Sequence, residues 1–206
     1  VKQFPINVNN TWVTSYNYMD VLGDGTVSYD AVTNTLTLDG AHIESYYSAG
    51  IYAPQDSLII NLKGENIINQ SGGLKAAQGI NVNGDLTIRG DGSLLAPEIE
   101  DTQTAGKLGK GILVKNDLVI EGNATVTMHT LTGIEVEGEI SIRGNAKVNC
   151  TASEYISIYG MGNSIEISED AQVNVTGIGG IQAEKGDICI SGNAVVDSTG
   201  TEQNVD

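Results

Sequence analysis

Proline, arginine, histidine, cysteine and the large aromatics are scarce in this chain. Its 206 residues include 3 Pro, 2 Arg, 2 His, 2 Cys, one Trp and one Phe. Each scarcity excludes something. Ten bases against 26 acids leave a net charge of −16. Without clustered bases the chain cannot neutralise nucleic-acid phosphates or hold an anionic membrane surface. The longest apolar runs, such as Leu58–Ile60 and Leu118–Ile120, are too short to span a bilayer. His42 and His129 show no HExxH spacing, and neither a P-loop nor a Gly-x-Ser-x-Gly elbow is present. By strand parity Cys150 points inward and Cys189 outward from another strand, which predicts two free thiols.

Glycine, by contrast, is abundant at 26 residues, and a hydrophobic fraction of 40% is enough for a core. The glycines recur in a pattern. Gly50-Ile51, Gly79-Ile80, Gly111-Ile112, Gly133-Ile134 and Gly180-Ile181 repeat one word, with Tyr155-Ile156 as its degenerate copy. A second apolar pair follows each: Ile60/Leu62, Leu86/Ile88, Leu118/Ile120, Ile140/Ile142, Ile165/Ile167 and Ile188/Ile190, with Leu36/Leu38 as an earlier member. A third pair follows a Gly-Asn turn in Val126/Met128 and Val148/Cys150, whereas Val173/Val175 follows Glu169-Asp170. Second pairs succeed one another after 24, 26, 32, 22, 25 and 23 residues, counted from Leu36. Three short alternating strands and three corners in about 22 residues make one turn of a parallel β-helix.

The expected fold is therefore all-β, a right-handed parallel β-helix of about seven three-strand coils in one domain. Ile51, Ile80, Ile112, Ile134, Ile156 and Ile181 would form a buried ladder, because no coil can bury its apolar face alone. Residues 1–35 carry Trp12, Phe4, Tyr16, Tyr18 and Tyr29 and read as an N-terminal β cap over an otherwise open end. Residues 36–197 form the coils and 198–206 a polar tail. Two excursions, Asn69–Gln78 and Pro97–Lys110, interrupt the repeat at the same corner and should project one above the other.

The segments Asp20–Asp30 and Thr33–Asp39, followed by Gly-Ile-x-Val and Gly-Asp-Leu-Thr-Ile words, resemble secreted carbohydrate-binding-domain β-helix proteins of anaerobic gut and cellulolytic bacteria. The resemblance covers nearly the whole chain, mostly in corner and core residues. It implies a right-handed parallel β-helix, a secreted or cell-surface location, calcium, and binding to plant-type polysaccharides including pectic acid. No ligand motif carries over, so candidate sites come from spacing.

Outward positions of the first strands include Tyr52, Asn81, Asn83, Lys115, Glu135, Glu137, Ser157 and Tyr159, a spread of amides, charges and aromatic planes that suits sugar. Glu98, Glu100 and Asp101 on the larger excursion would rim this face. Asp85, Asp117, Glu139 and Asp187 begin successive second strands, with Ser164 interrupting. This column is either a Ca2+ site or a set of turn caps. Asp39, Lys63, Arg89, Glu121, Arg143, Ser168 and Ser191 end the second strands, as either an ion-pair ladder or a cationic strip for carboxylates. Asp20–Ala31 lacks the side-chain oxygens that a calcium loop needs at positions 3 and 12, and a hairpin about Asp24-Gly25 is expected there.

Together these features point to a non-catalytic polysaccharide-binding module, secreted or on a bacterial surface. A structural adhesin or spacer is the first alternative, and a polysaccharide lyase or hydrolase on the same fold the second.

Overall fold

Alternation of buried and more exposed side chains runs through many of the strands, as in Leu58–Lys63, Thr125–Thr130 and Gln172–Gly177, and parallel pairing of such strands builds the molecule. The computed structural model describes residues 1–45, 49–54, 57–70, 77–97, 109–162 and 164–200. Among them every regular element is a strand. Three sheets stack along one axis into a parallel β-solenoid of about six turns. The first sheet contains the parallel strands Ala49–Ala53, Gln78–Val82, Lys110–Val114, Thr132–Val136, Ile158–Gly160 and Ile181–Ala183. The second runs from Thr35–Asp39 through Leu58–Lys63, Leu86–Gly90, Leu118–Ile120, Ile140–Ile142 and Ile165–Ile167 to Ile188–Ile190. The third runs from His42–Ser45 through Glu65–Gln70, Ser93–Ala96, Thr125–Thr130, Lys147–Ala152 and Gln172–Gly177 to Val195–Gly200.

The isoleucine ladder is present, with Ile156 replaced and Ile181, expected to be buried, only partly so. Ile51, Ile80, Ile112, Ile134 and Ile158 stack in register and are fully buried. Ile158, not Ile156, takes the core position, and Ser157 occupies the glycine position before it. Both isoleucines have the same parity, so alternation could not choose between them. Ser157, expected to face outward, is completely buried, because the end of the third sheet folds over the start of the first. Its hydroxyl donates to the Thr176 carbonyl at 3.0 Å.

A similar two-residue offset affects the second sheet. Leu58–Lys63 is long enough to present Ile60 and Leu62 to Leu36 and Leu38 on one side, but Leu58 and Ile60 to Leu86 and Ile88 on the other. Arg89 therefore lies beside Asn61, while Lys63 lies beside Asp39. At the end of the chain, Ser198–Gly200 continues a strand paired with Val175–Gly177, so the expected polar tail is partly structured. Residues 201–206 lie outside the described residues.

The N-terminal cap closes two of the three sheets with antiparallel strands. Gln3–Val8 pairs with Thr11–Thr14 and lies antiparallel on Ala49–Ala53, while Val27–Asp30 pairs antiparallel with Thr35–Asp39. Phe4 and Tyr29 meet edge to face at 5.2 Å between ring centroids. The hairpin turn falls at residues 31–34, not at Asp24-Gly25. Asp20 instead accepts the amides of Gly23 and Gly25 at 2.9 and 3.0 Å, and Asp24 accepts both the amide and the hydroxyl of Thr26. Those bonds hold the Asp24 carboxyl below its usual range, the Thr26 hydroxyl contributing most. The opposite end has no such closure among the described residues. Ile188 and Ile190, in the register that is buried elsewhere, are 42% and 54% exposed.

Corners are held by side-chain amides and by backbone that only certain residues adopt. Asn66 is buried. It accepts from the Ala41 amide at 2.8 Å and donates to the Lys63 and Ser93 carbonyls at 3.0 Å each, joining three coils. At the corner after the second strand, Gly122, Gly144 and Gly192 have φ near +70°, and Glu169 holds +61° where the repeat lacks its glycine. Its carboxylate accepts from the Gly144 amide at 2.9 Å, which anchors the exception.

The glycines that open the first strands are required for a different reason. A Cβ on Gly111 would lie 2.6 Å from the Gly133 carbonyl oxygen and 2.8 Å from the Met128 sulfur. Gly111→Ala should cost about 1–3 kcal/mol by overpacking. Thermal melts followed by circular dichroism should show Tm falling by roughly 2–12 °C. An unchanged Tm would contradict this close coil-to-coil approach.

Candidate functional site

Because parallel strands stack in register, outward residues one coil apart become neighbours ~4.8 Å apart. The first sheet thus aligns Tyr52, Asn81, Leu113, Glu135, Tyr159 and Gln182 in one row. Asn83, Lys115 and Glu137 stand in a second row, at the far end of the strands.

Much of this expected face is committed to internal bonds. Lys115 pairs with Glu137, and Asn83 donates to the Pro54 carbonyl at 2.7 Å. Asn81 donates to Gln78 at 2.9 Å, while its own carbonyl oxygen is buried with no hydrogen-bond partner among the described residues. Tyr52 lies against Asn7 of the cap. Glu98, Glu100 and Asp101 lie outside the described residues.

Two of the expected residues, Glu135 and Tyr159, do meet in a cleft of about 550 Å³. Sequence reasoning gave no binding role to the rest of its lining, which includes Lys110, Leu131, Glu154 and Tyr155. Local folding explains how they arrive. The turn at residues 153–155 bends back over the preceding coil, and the amides of Ser153, Glu154 and Tyr155 donate to the carbonyls of Thr130, Leu131 and Leu131. This places Tyr155 on the rim, 58% exposed, with apolar Leu131 beneath. Lys110 opens its strand and reaches across one coil to Glu135, Nζ to Oε1 2.6 Å. The Tyr159 hydroxyl donates to Glu184 at 2.7 Å, which fixes the ring and pushes the phenol above its usual range. A lone lysine after an interrupting excursion was the only sequence signal for Lys110. Tyr155 was hidden by being aligned with the glycine of the repeat.

The carboxylate column is present as a row, and two of its members, Asp85 and Asp117, accept from the turn amide one coil further on. Asp117 accepts from the Glu139 amide at 2.8 Å, and Asp85 accepts from the Ser57 hydroxyl at 3.1 Å. Ser164 stands between the coils of Glu139 and Asp187. Among the described residues no three His, Cys, Asp or Glu side chains converge to hold a metal ion.

The row that ends the second strands reads Asn61, Arg89, Glu121, Arg143, Ser168 and Ser191, with Asn61 in the place expected for Lys63. Glu121 and Arg143 form an ion pair through Nε and Nη2, at 3.0 and 2.7 Å to one carboxylate oxygen. That bond raises the Arg143 pKa.

No family model, curated protein or solved structure matches the chain. What the coordinates define is a class, the parallel β-solenoid with three sheets.

Both cysteines are free, as their parity predicted, with Cys150 buried and Cys189 exposed. Burial pushes the Cys150 thiol up to about 12, so it stays protonated at neutral pH. Ellman's reagent should therefore titrate one thiol in the native protein, Cys189, and two after unfolding in guanidinium. Two native thiols would mean that the sheet around Cys150 is open.

Proposed function

We propose that the solenoid is a non-catalytic polysaccharide-binding module, secreted or displayed by a bacterium, and that sugar is bound at the tyrosine cleft. The observation that carries this reading is the pairing of Tyr155 and Tyr159 with Lys110, Glu135 and Glu154 around an apolar floor. Pyranose rings present apolar C–H faces and equatorial hydroxyls, so they need an aromatic plane beside charged hydrogen-bonding groups. Strand-mounted Glu135 and Tyr159 are fixed before ligand arrives, which reduces the ordering cost of binding. The likeness of Asp20–Asp39 and the repeat words to carbohydrate-binding β-helices supports the same substrate class.

A second reading is a spacer solenoid without sugar preference. It is favoured by the ion pairs and amide bonds that satisfy much of the first face internally.

A glycan array with the intact chain decides between them. Binding to a polysaccharide, weakened in Tyr155→Ala and Tyr159→Ala by about 1–2 kcal/mol each, supports the cleft. That is roughly five- to thirtyfold in Kd. Retention on no glycan would leave the spacer, and undiminished binding by both variants would move the site elsewhere.

A further inference from the structure

On the outer side of the second sheet lies a separate concavity of about 520 Å³. The corner glycines Gly90, Gly122 and Gly144 form its floor, and their missing side chains leave it open. Both arginines of the protein line it, together with Glu121, Glu169, Asp91 and Asn61.

Taken one by one, the charged groups are unequally satisfied. Glu121 is held by two nitrogens of Arg143, and Glu169 accepts from the Gly144 amide at 2.9 Å. Asp91 accepts from the Asn123 amide nitrogen at 2.7 Å. Arg89 alone among them has no hydrogen bond or ion pair with any described residue, and its register neighbour Asn61 likewise has no side-chain partner there. Two donors ~4.8 Å apart on adjacent rigid strands thus line the concavity with no partner among the described residues. Of the acids lining the concavity, only Glu121 is paired with a cation, while Asp91 and Glu169 each accept from a neutral amide and make no ion pair with Arg89.

We propose that Arg89 and Asn61 form a docking site for a carboxylate group. The guanidinium edge offers two parallel N–H donors that match the two oxygens of a carboxylate, and the Asn61 amide adds a third from the next coil. The distant part of the −16 net charge is screened beyond ~8 Å at physiological ionic strength, and at shorter range the Arg89 and Asn61 donors act against the carboxylates of Asp91 and Glu169, Glu121 being paired with Arg143. Arg143 acts as a positioning residue: by holding Glu121 it keeps that carboxylate from closing on Arg89 one coil away. This site is on a different sheet from the tyrosine cleft and stands or falls independently of it.

Having only two arginines makes the test direct, because ¹⁵N NMR shows two side-chain Nε–Hε signals. The intact chain is titrated with a uronic-acid tetramer, a neutral hexose tetramer and sodium acetate. The Arg89 signal should move with the uronate while that of Arg143 stays. Arg89→Gln should weaken uronate binding about tenfold or more, as loss of a charge-assisted pair does. Arg143→Gln, which frees Glu121 to capture Arg89, should weaken it as well. Tyr155→Ala should leave the Arg89 response unchanged, which separates this site from the cleft. Equal movement with acetate would support the carboxylate site and name a free carboxylate as sufficient. No movement with acetate or uronate, equal movement with the neutral tetramer, or full affinity in Arg89→Gln would overturn the proposal.

Discussion

Everything in this molecule depends on in-register parallel stacking. A single coil of three short strands has an apolar inner edge and unpaired backbone on both sides, so it has no stable existence alone. Laid on its neighbour at ~4.8 Å, it gains ladder hydrogen bonds in three sheets and a column of buried aliphatic side chains. Each fully buried isoleucine contributes about 1.5–3 kcal/mol. The same spacing brings Asn145 to Asn123 and Asn174 to Asn149, so even the polar exterior is organised by the repeat. Where no further coil lies among the described residues, Ile188 and Ile190 are exposed.

Stacking also governs what the surface can recognise. A charged residue on a flat solenoid face meets the residues one coil above and below before it meets anything in solution. Lys115, Lys110 and Arg143 each find an acid in this way. A group becomes available to a ligand only where the column breaks the pairing, or where a turn leaves the repeat. Arg89 is the first case, with Asn61 on one side and, on the other, a Glu121 already held by Arg143. Tyr155 is the second, carried outward by a turn that folds back onto Leu131.

The architecture was legible in the residues because it rests on a signal repeated many times. Gly-Ile words, alternating pairs and Gly-Asn corners each agree with the next, and the aromatic cap was visible as a departure from them. Misreadings cluster where the repeat degenerates. Glu-Tyr-Ile-Ser-Ile places two isoleucines at equal parity, and Leu58–Lys63 carries one apolar residue more than its neighbours need. A period of two gives the face of a strand but leaves its register open to slips of two. Those slips sent Ser157 to the wrong face and put Lys63, instead of Asn61, beside Arg89.

Composition and periodicity by themselves determined that this acidic, glycine-rich chain winds into a three-sheet parallel solenoid with an N-terminal cap and two free thiols. They did so because strand parity, corner chemistry and repeat length are local properties. Tertiary structure alone decided which charges are spent on one another, that Asp85 and Asp117 cap turns, that Tyr155 joins Tyr159 and Lys110 around one cleft, and that Arg89 is left over. Those outcomes depend on which residues of different coils, 22 to 32 positions apart in sequence, fall side by side. The −16 charge that began as an excess of acid is thereby resolved into paired, capping and solvated carboxylates around a single uncommitted guanidinium.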